Sequence, residues 1–156
     1  MIFALVGTHE QQFDRLVRAL DQLDTDEARI VQYGYSSYKP ANCDAYKFLP
    51  FDDVRRYMEA ADVVITHAGT GSVMFALSLG KRPIVAPRYA KYGEHVDDHQ
   101  LQLVNALIED GLVVPYLDGD SLEQRIEEVK SHDQGNRAIE PDQRLVADLK
   151  RIIDES

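Results

Sequence analysis

The sequence predicts an α/β fold, a single Rossmann-like domain with a six-stranded parallel sheet and helices on both faces. Short apolar runs alternate with segments of helical hydrophobic period, as βα units require. Most of the runs are apolar throughout rather than alternating, the pattern of strands covered on both faces. Glycines and helix-capping residues fall at the boundaries between them. At 156 residues and 44% hydrophobic content, the chain has the size of one domain able to bury a core without disulfides or metals.

The first strand is expected over 2–6, an apolar start that lacks the basic region and cleavage site of a signal peptide. Gly7 permits a tight turn into a helix over 12–23. Strands over 29–33 and 45–49 flank a polar loop at 35–44 that carries Pro40. A helix over 51–60 leads to the fourth strand, 63–66, which breaks at Gly69 and Gly71 into a helix over 72–79 with Ser72 as its N-cap and Gly80 at its end. The fifth strand covers 83–86, and a helix over 97–109 stops at Gly111 before the sixth strand, 112–115. Ser121, ahead of Glu123 and Gln124, suits the N-cap of a helix over 121–130. The stretch 131–140, with Gly135 and Asn136, is expected as a mobile loop, and Pro141 suits the first turn of a last helix over 141–154. Leu145, Leu149, Ile152 and Ile153 in that helix recur at i, i+4, i+7 and i+8, an apolar stripe that either packs on its own domain or docks a partner.

The net charge of −10 disfavours nucleic acid and anionic lipid as long-range partners, though it leaves room for a local phosphate site. Cys43 is the only cysteine, so no internal disulfide forms, and it has no companion at zinc-ligand spacing. No apolar run approaches the roughly 20 residues that span a bilayer. A cytoplasmic location is expected.

In open parallel sheets a ligand sits beyond the carboxyl ends of the strands, near the point where strand order reverses. The loops after the first, fourth and fifth strands should meet there. The first, Gly7-Thr8-His9-Glu10, offers a tight turn, a hydroxyl and two acid–base groups at a helix N-terminus. The second, His67-Ala68-Gly69-Thr70-Gly71-Ser72, places two glycines and a hydroxyl where a helix dipole favours an anion, yet it is neither a P-loop nor the first-loop fingerprint of dinucleotide enzymes. In the third, Arg88 and Lys91 can offset diphosphate charge, while His99 and Gln100 can hydrogen-bond sugar hydroxyls. His95 and His99 stand four apart, but the sequence supplies no H-E-x-x-H, and no metal is expected.

Residues 63–106 resemble the C-terminal, donor-binding domain of family 28 glycosyltransferases, whose H-A-G-x-G-S loop and later P-R, H-Q and N-A pairs enclose a UDP-sugar. The opening, Val6-Gly7-Thr8-His9-Glu10-Gln11-Gln12-Phe13, resembles the small subunits of two-part glycosyltransferases of bacterial exopolysaccharide assembly. Those in turn are similar to the catalytic subunit that adds the second N-acetylglucosamine to lipid-linked oligosaccharide in eukaryotes. The resemblance implies half of a GT-B fold and an inverting, metal-independent transfer from a UDP-sugar, with no cofactor. It implies a donor site at Gly7, Thr8, His67, Gly69, Thr70, Gly71, Ser72, Arg88, Glu94, His99 and Gln100, with His9 as the catalytic base.

A GT-B enzyme faces two Rossmann-like domains across a cleft, and the chain has residues for one. The resemblance therefore implies a membrane-anchored partner that supplies the acceptor site, a lipid-linked acceptor, and a peripheral position at the cytoplasmic face of the membrane. One departure stands out: family members often carry a glutamate three residues after the serine of H-A-G-x-G-S, where it holds the ribose, and this chain has Phe75. That puts the ribose contact in doubt and speaks against equating the chain with the N-acetylglucosamine-transferring members; a hexose-type sugar is expected to be transferred. A non-catalytic nucleotide-sugar-binding module and a stand-alone UDP-sugar epimerase remain the alternatives.

Overall fold

The computed structural model describes residues 1–7, 11–94 and 98–133. Six strands, β1 (Ile2–Leu5), β2 (Arg29–Gln32), β3 (Asp44–Tyr46), β4 (Val63–His67), β5 (Ile84–Ala86) and β6 (Val114–Pro115), form one sheet in the order β3-β2-β1-β4-β5-β6. Every neighbouring pair is parallel. The chain works outward from β1 to β3, returns to β4 beside β1, and works outward again to β6. The switch point therefore lies between β1 and β4, where Leu5 stands opposite Thr66.

Side-chain alternation along β1 divides the core. Ile2, Ala4 and Val6 join Leu16, Val17 and Leu20 of α1 (Asp14–Asp21) and Ile126 and Val129 of α5 (Leu122–Asp133). On the opposite face Phe3 and Leu5 pack with Met58 of α2 (Phe51–Ala60) and Ala76 of α3 (Thr70–Ser78). Val85 of β5 meets Val73 and Leu77 of α3 and Val104 and Leu107 of α4 (Asp98–Glu109). Helices thus cover both faces, and each fully buried Leu or Phe contributes roughly 1.5–3 kcal/mol relative to exposure.

Several caps are those expected. The N–H groups of Gly80 and Lys81 return to the carbonyls of Leu77 and Ala76, and those of Gly111 and Leu112 to Ile108 and Leu107, which is the Schellman arrangement at the ends of α3 and α4. Ser121 Oγ accepts from the Gln124 N–H at 3.3 Å as the N-cap of α5. Other boundaries move. α3 begins at Thr70 with extended Gly69 as N-cap, so Ser72, expected to be the cap, lies inside the first turn. α1 is shorter than expected because Gln12 Oε1 takes the Asp14 N–H at 2.7 Å, fixing the chain outside the helix up to Phe13. β3 ends at Tyr46, since the Leu49 N–H turns to Gln32 Oε1 at 2.9 Å instead of joining the ladder. Residues 131–133, expected in a loop, continue α5, while the last helix predicted over 141–154 lies outside the described residues. No described helix is long and apolar enough to cross a membrane.

Candidate functional site

At the carboxyl ends of β1, β2 and β4 a cavity of about 540 Å³ opens, with Phe51, Val54 and Met58 of α2 on one side and Gly71, Ser72 and Phe75 of α3 on the other. That volume is in the range of pockets that hold a small organic ligand. The lining is mainly apolar and aromatic, with Gln32, His67 and Ser72 as its polar side chains. Phe75 meets Phe51 edge-on, their ring centroids 5.0 Å apart, so this position is both cavity wall and core edge.

His67, the last residue of β4, is pressed between two loops. A Cβ on Gly7 would lie 2.6 Å from His67 Cε1, and one on Gly69 would lie 2.0 Å from the same atom. A side chain at either place would force the His67 ring to shift, and Gly7 also adopts φ +85, which L side chains rarely do. The ring is anchored further by Ser72 Oγ, 3.3 Å from Nε2. Gly71 differs from both, because a Cβ there would meet nothing within 4 Å. The fold places no demand on its lack of a side chain, and it borders the cavity.

The N-terminus of α3 completes this corner. Its first intrahelical bond runs from the Val73 N–H to the Gly69 carbonyl, leaving the N–H groups of Thr70, Gly71 and Ser72 without a partner in the helix. Gly69 has no side chain with which to cap them. Three aligned donors with the positive end of a helix dipole make this the natural seat for an anion at the cavity edge.

Arg88 and Glu94 do not join that corner. Arg88 is 2% exposed and donates to four backbone carbonyls: Nη2 to Val6 at 2.8 Å, and Nη1 to Gln11, Gln12 and Glu94 at 3.0 to 3.3 Å. It also lies over the Phe13 ring, 4.6 Å from its centroid. Burial lowers its pKa and the Glu94 carboxylate raises it, but a guanidinium stays charged throughout. Expected beside a diphosphate, Arg88 instead fastens both feet of the first loop to the fifth-strand loop, because the carbonyls there surround it. Glu94 is equally buried and accepts from Arg15 Nε and Nη2 at 3.2 Å each and from the Tyr89 N–H at 3.0 Å. Lys91 reaches Asp118 at 2.6 Å and so turns toward the loop after β6.

Of the residues singled out in the sequence, Gly7, His67, Gly69, Gly71 and Ser72 converge on the cavity, with Thr70 opening α3 beside them. His99 and Gln100 fall in the first turn of α4. Thr8 and His9 lie outside the described residues. Among the described residues no three His, Cys, Asp or Glu side chains gather as a metal-ligand set. Sequence reasoning missed Gln32, Phe48 and Phe51. A signal existed for each: Gln32 is a polar residue directly after the apolar pair Ile30-Val31 at the carboxyl end of β2, and Phe48 and Phe51 are large aromatics on either side of Leu49-Pro50 where the loop enters α2.

The profile of the glycosyltransferase family 28 C-terminal domain matches residues 1–155. The UDP-N-acetylglucosamine transferase subunit ALG13 of Yarrowia lipolytica is 31% identical over 162 aligned positions, which cover 99% of this chain and 76% of that protein. Among solved structures, the calicheamicin glycosyltransferase CalG4 superposes with a TM-score of 0.62 at 18% identity, over 97% of this chain and 37% of its own. The kitacinnamycin glycotransferase gives 0.56 at 18% identity, over 97% and 38%. The chain thus spans little more than a third of the length of these solved structures, and at such identity they show a shared fold.

Proposed function

Since the chain belongs to the glycosyltransferase family 28 C-terminal domain family, we propose that it is the donor-binding, catalytic subunit of a two-part transferase that moves a hexose-type sugar from UDP to a lipid-linked acceptor in exopolysaccharide or glycan assembly. Its fold is one Rossmann-like half of the GT-B architecture. The observation that carries the donor site is the meeting, at the switch point, of an aromatic-lined cavity with an uncapped helix N-terminus whose Gly71 is sterically open.

The uracil ring occupies the apolar cavity, and the diphosphate lies across the N–H groups of Thr70, Gly71 and Ser72. As the sugar–phosphate bond breaks, negative charge grows on the leaving UDP, and these fixed dipoles stabilise it without a divalent ion, an effect worth several kcal/mol in comparable oxyanion sites. Gly7 and Thr8 bring the first loop to the same diphosphate, and His9 on that loop takes the proton of the acceptor hydroxyl as it attacks. His99 and Gln100, at the start of α4, hydrogen-bond the sugar. Arg88 and Glu94 hold the loops rather than the ligand.

The relative named as a transferase subunit supports a partner, which we take to be membrane-anchored and to bind the acceptor, keeping this chain peripheral at the cytoplasmic face. Its name also makes UDP-N-acetylglucosamine a donor to test beside UDP-glucose and UDP-galactose. Calorimetry on the purified chain tests the core of the proposal. UDP should bind at least about tenfold, or ~1.4 kcal/mol, more tightly than ADP or GDP, with chelator making no difference. Equal affinities for the three nucleotides, or binding abolished by chelator, would overturn it.

A further inference from the structure

Among the described residues that line the cavity, none is an aspartate or a glutamate. A vicinal diol of ribose is held most firmly by a carboxylate, which accepts from both hydroxyls. Here the neutral acceptors already have company: Gln32 Oε1 takes the Leu49 N–H at 2.9 Å, and Ser72 Oγ stands 3.3 Å from His67 Nε2. The position that governs the space between anion seat and cavity is Phe75. It lies three and four residues beyond Ser72 and Gly71, on the same helix face, and its ring leans on Phe51, which is 63% exposed at the rim. In the donor reading above, with the diphosphate at the start of α3 and the base in the aromatic cavity, the pentose passes along this ring.

We propose, building on the donor reading above, that this site does not read the 2′-hydroxyl of the nucleotide, so that 2′-deoxyribonucleoside diphosphate donors are accepted as readily as ribonucleoside ones. A site built to hydrogen-bond a substrate hydroxyl rejects the analogue lacking it by orders of magnitude, whereas an apolar wall discriminates weakly over one hydroxyl. The Phe75 wall, packed edge-on against Phe51, is of the second kind.

Titration of the purified chain with UDP and with 2′-deoxy-UDP decides the matter. The expected dissociation constants lie within about threefold of each other. Phe75→Glu places an acceptor beside the pentose and should shift the ratio to tenfold or more in favour of UDP, while Phe75→Leu keeps the apolar wall and should leave it unchanged. A wild-type ratio of tenfold or more would overturn the inference and leave the donor site standing. Failure of both nucleotides to bind would overturn the donor site and the inference together. A folded Phe75→Glu chain that still fails to distinguish the two would remove the pentose from Phe75. Should that variant not fold, the wild-type ratio and Phe75→Gln carry the same test.

Discussion

Gly69 and Gly71 stand two apart in one loop and serve different ends. Gly69 makes room for the His67 ring, since a Cβ would lie 2.0 Å from it, and Gly69→Ala, which forces that ring to move, should cost about 1–3 kcal/mol in denaturant unfolding. Gly71 faces open space. Gly71→Val should therefore leave the unfolding midpoint close to that of the wild type, because in a helix valine replaces the least favourable residue but proline. Its side chain would stand where the diphosphate approaches, so UDP affinity in calorimetry should fall by about tenfold or more, at least ~1.4 kcal/mol. A folded Gly71→Val chain with unchanged UDP affinity would show that the ligand lies elsewhere. Arg88 makes the opposite case: Arg88→Lys retains the charge but loses the fork that reaches Val6, Gln11 and Gln12 at once. Denaturant unfolding should show a loss of about 2–3 kcal/mol. The glycine loop could be read from the sequence because the missing side chain is itself the signal: it lets His67 lie against Gly69 and leaves the start of α3 open at Gly71. The task of Arg88 could not, because its partners are main-chain carbonyls, which every residue carries, and most of them belong to the first loop, 76 to 82 residues away in sequence.

At the scale of elements, the polar stretch between β2 and β3 is held by two carboxylates of α1 rather than by pairing in the sheet. Asp14 accepts from the N–H groups of Ser37 and Tyr38 and from Ser37 Oγ, and Asp21 accepts from the Tyr38 hydroxyl and the N–H groups of Ala41 and Asn42. Burial alone would raise both pKa values. The hydrogen bonds from Tyr38 and Ser37 to Asp14, and from Asn42, Tyr38 and Ala41 to Asp21, outweigh it and hold both below the ordinary carboxylate value. A depressed folded pKa stabilises above the unfolded pKa of about 3.9, and that contribution disappears as pH falls through the lowered folded value. Unfolding free energy measured against pH should thus decline on the acid side below about pH 4, and Asp21→Asn, which no longer titrates, should flatten that decline. The same element shows what sequence can carry. Gly80, Gly111 and Ser121 marked helix ends correctly because their caps use atoms of neighbouring residues. The ends of α1 and β3 were set by Gln12 and Gln32 side chains, whose choice of N–H depends on the packed chain.

The described residues form one Rossmann-like domain whose cavity opens at the carboxyl edge of the sheet, in a chain of net charge −10. The architecture was readable from the alternation of apolar runs, because a parallel sheet leaves no other way to bury strands that are apolar on both faces. The acceptor side was not, because the described cavity is lined by one sheet's carboxyl edge and the helices beside it, and in the proposed reading the acceptor comes with the partner. We expect that transfer requires the proposed partner. Purified alone, the chain should bind UDP-sugar and move nothing to a lipid-linked acceptor, and membranes carrying the partner should restore radiolabel transfer. Ending the chain before Pro141 removes the stripe of Leu145, Leu149, Ile152 and Ile153, whose sequence spacing suits one helix face. If that face docks the partner, co-purification should fall while UDP affinity, set by the cavity and the start of α3, stays the same. Vigorous transfer by the isolated, membrane-free chain would overturn the two-part proposal. Undiminished partner recovery by the shortened chain would overturn only the docking role of that stripe, and would assign it to covering the domain's own core.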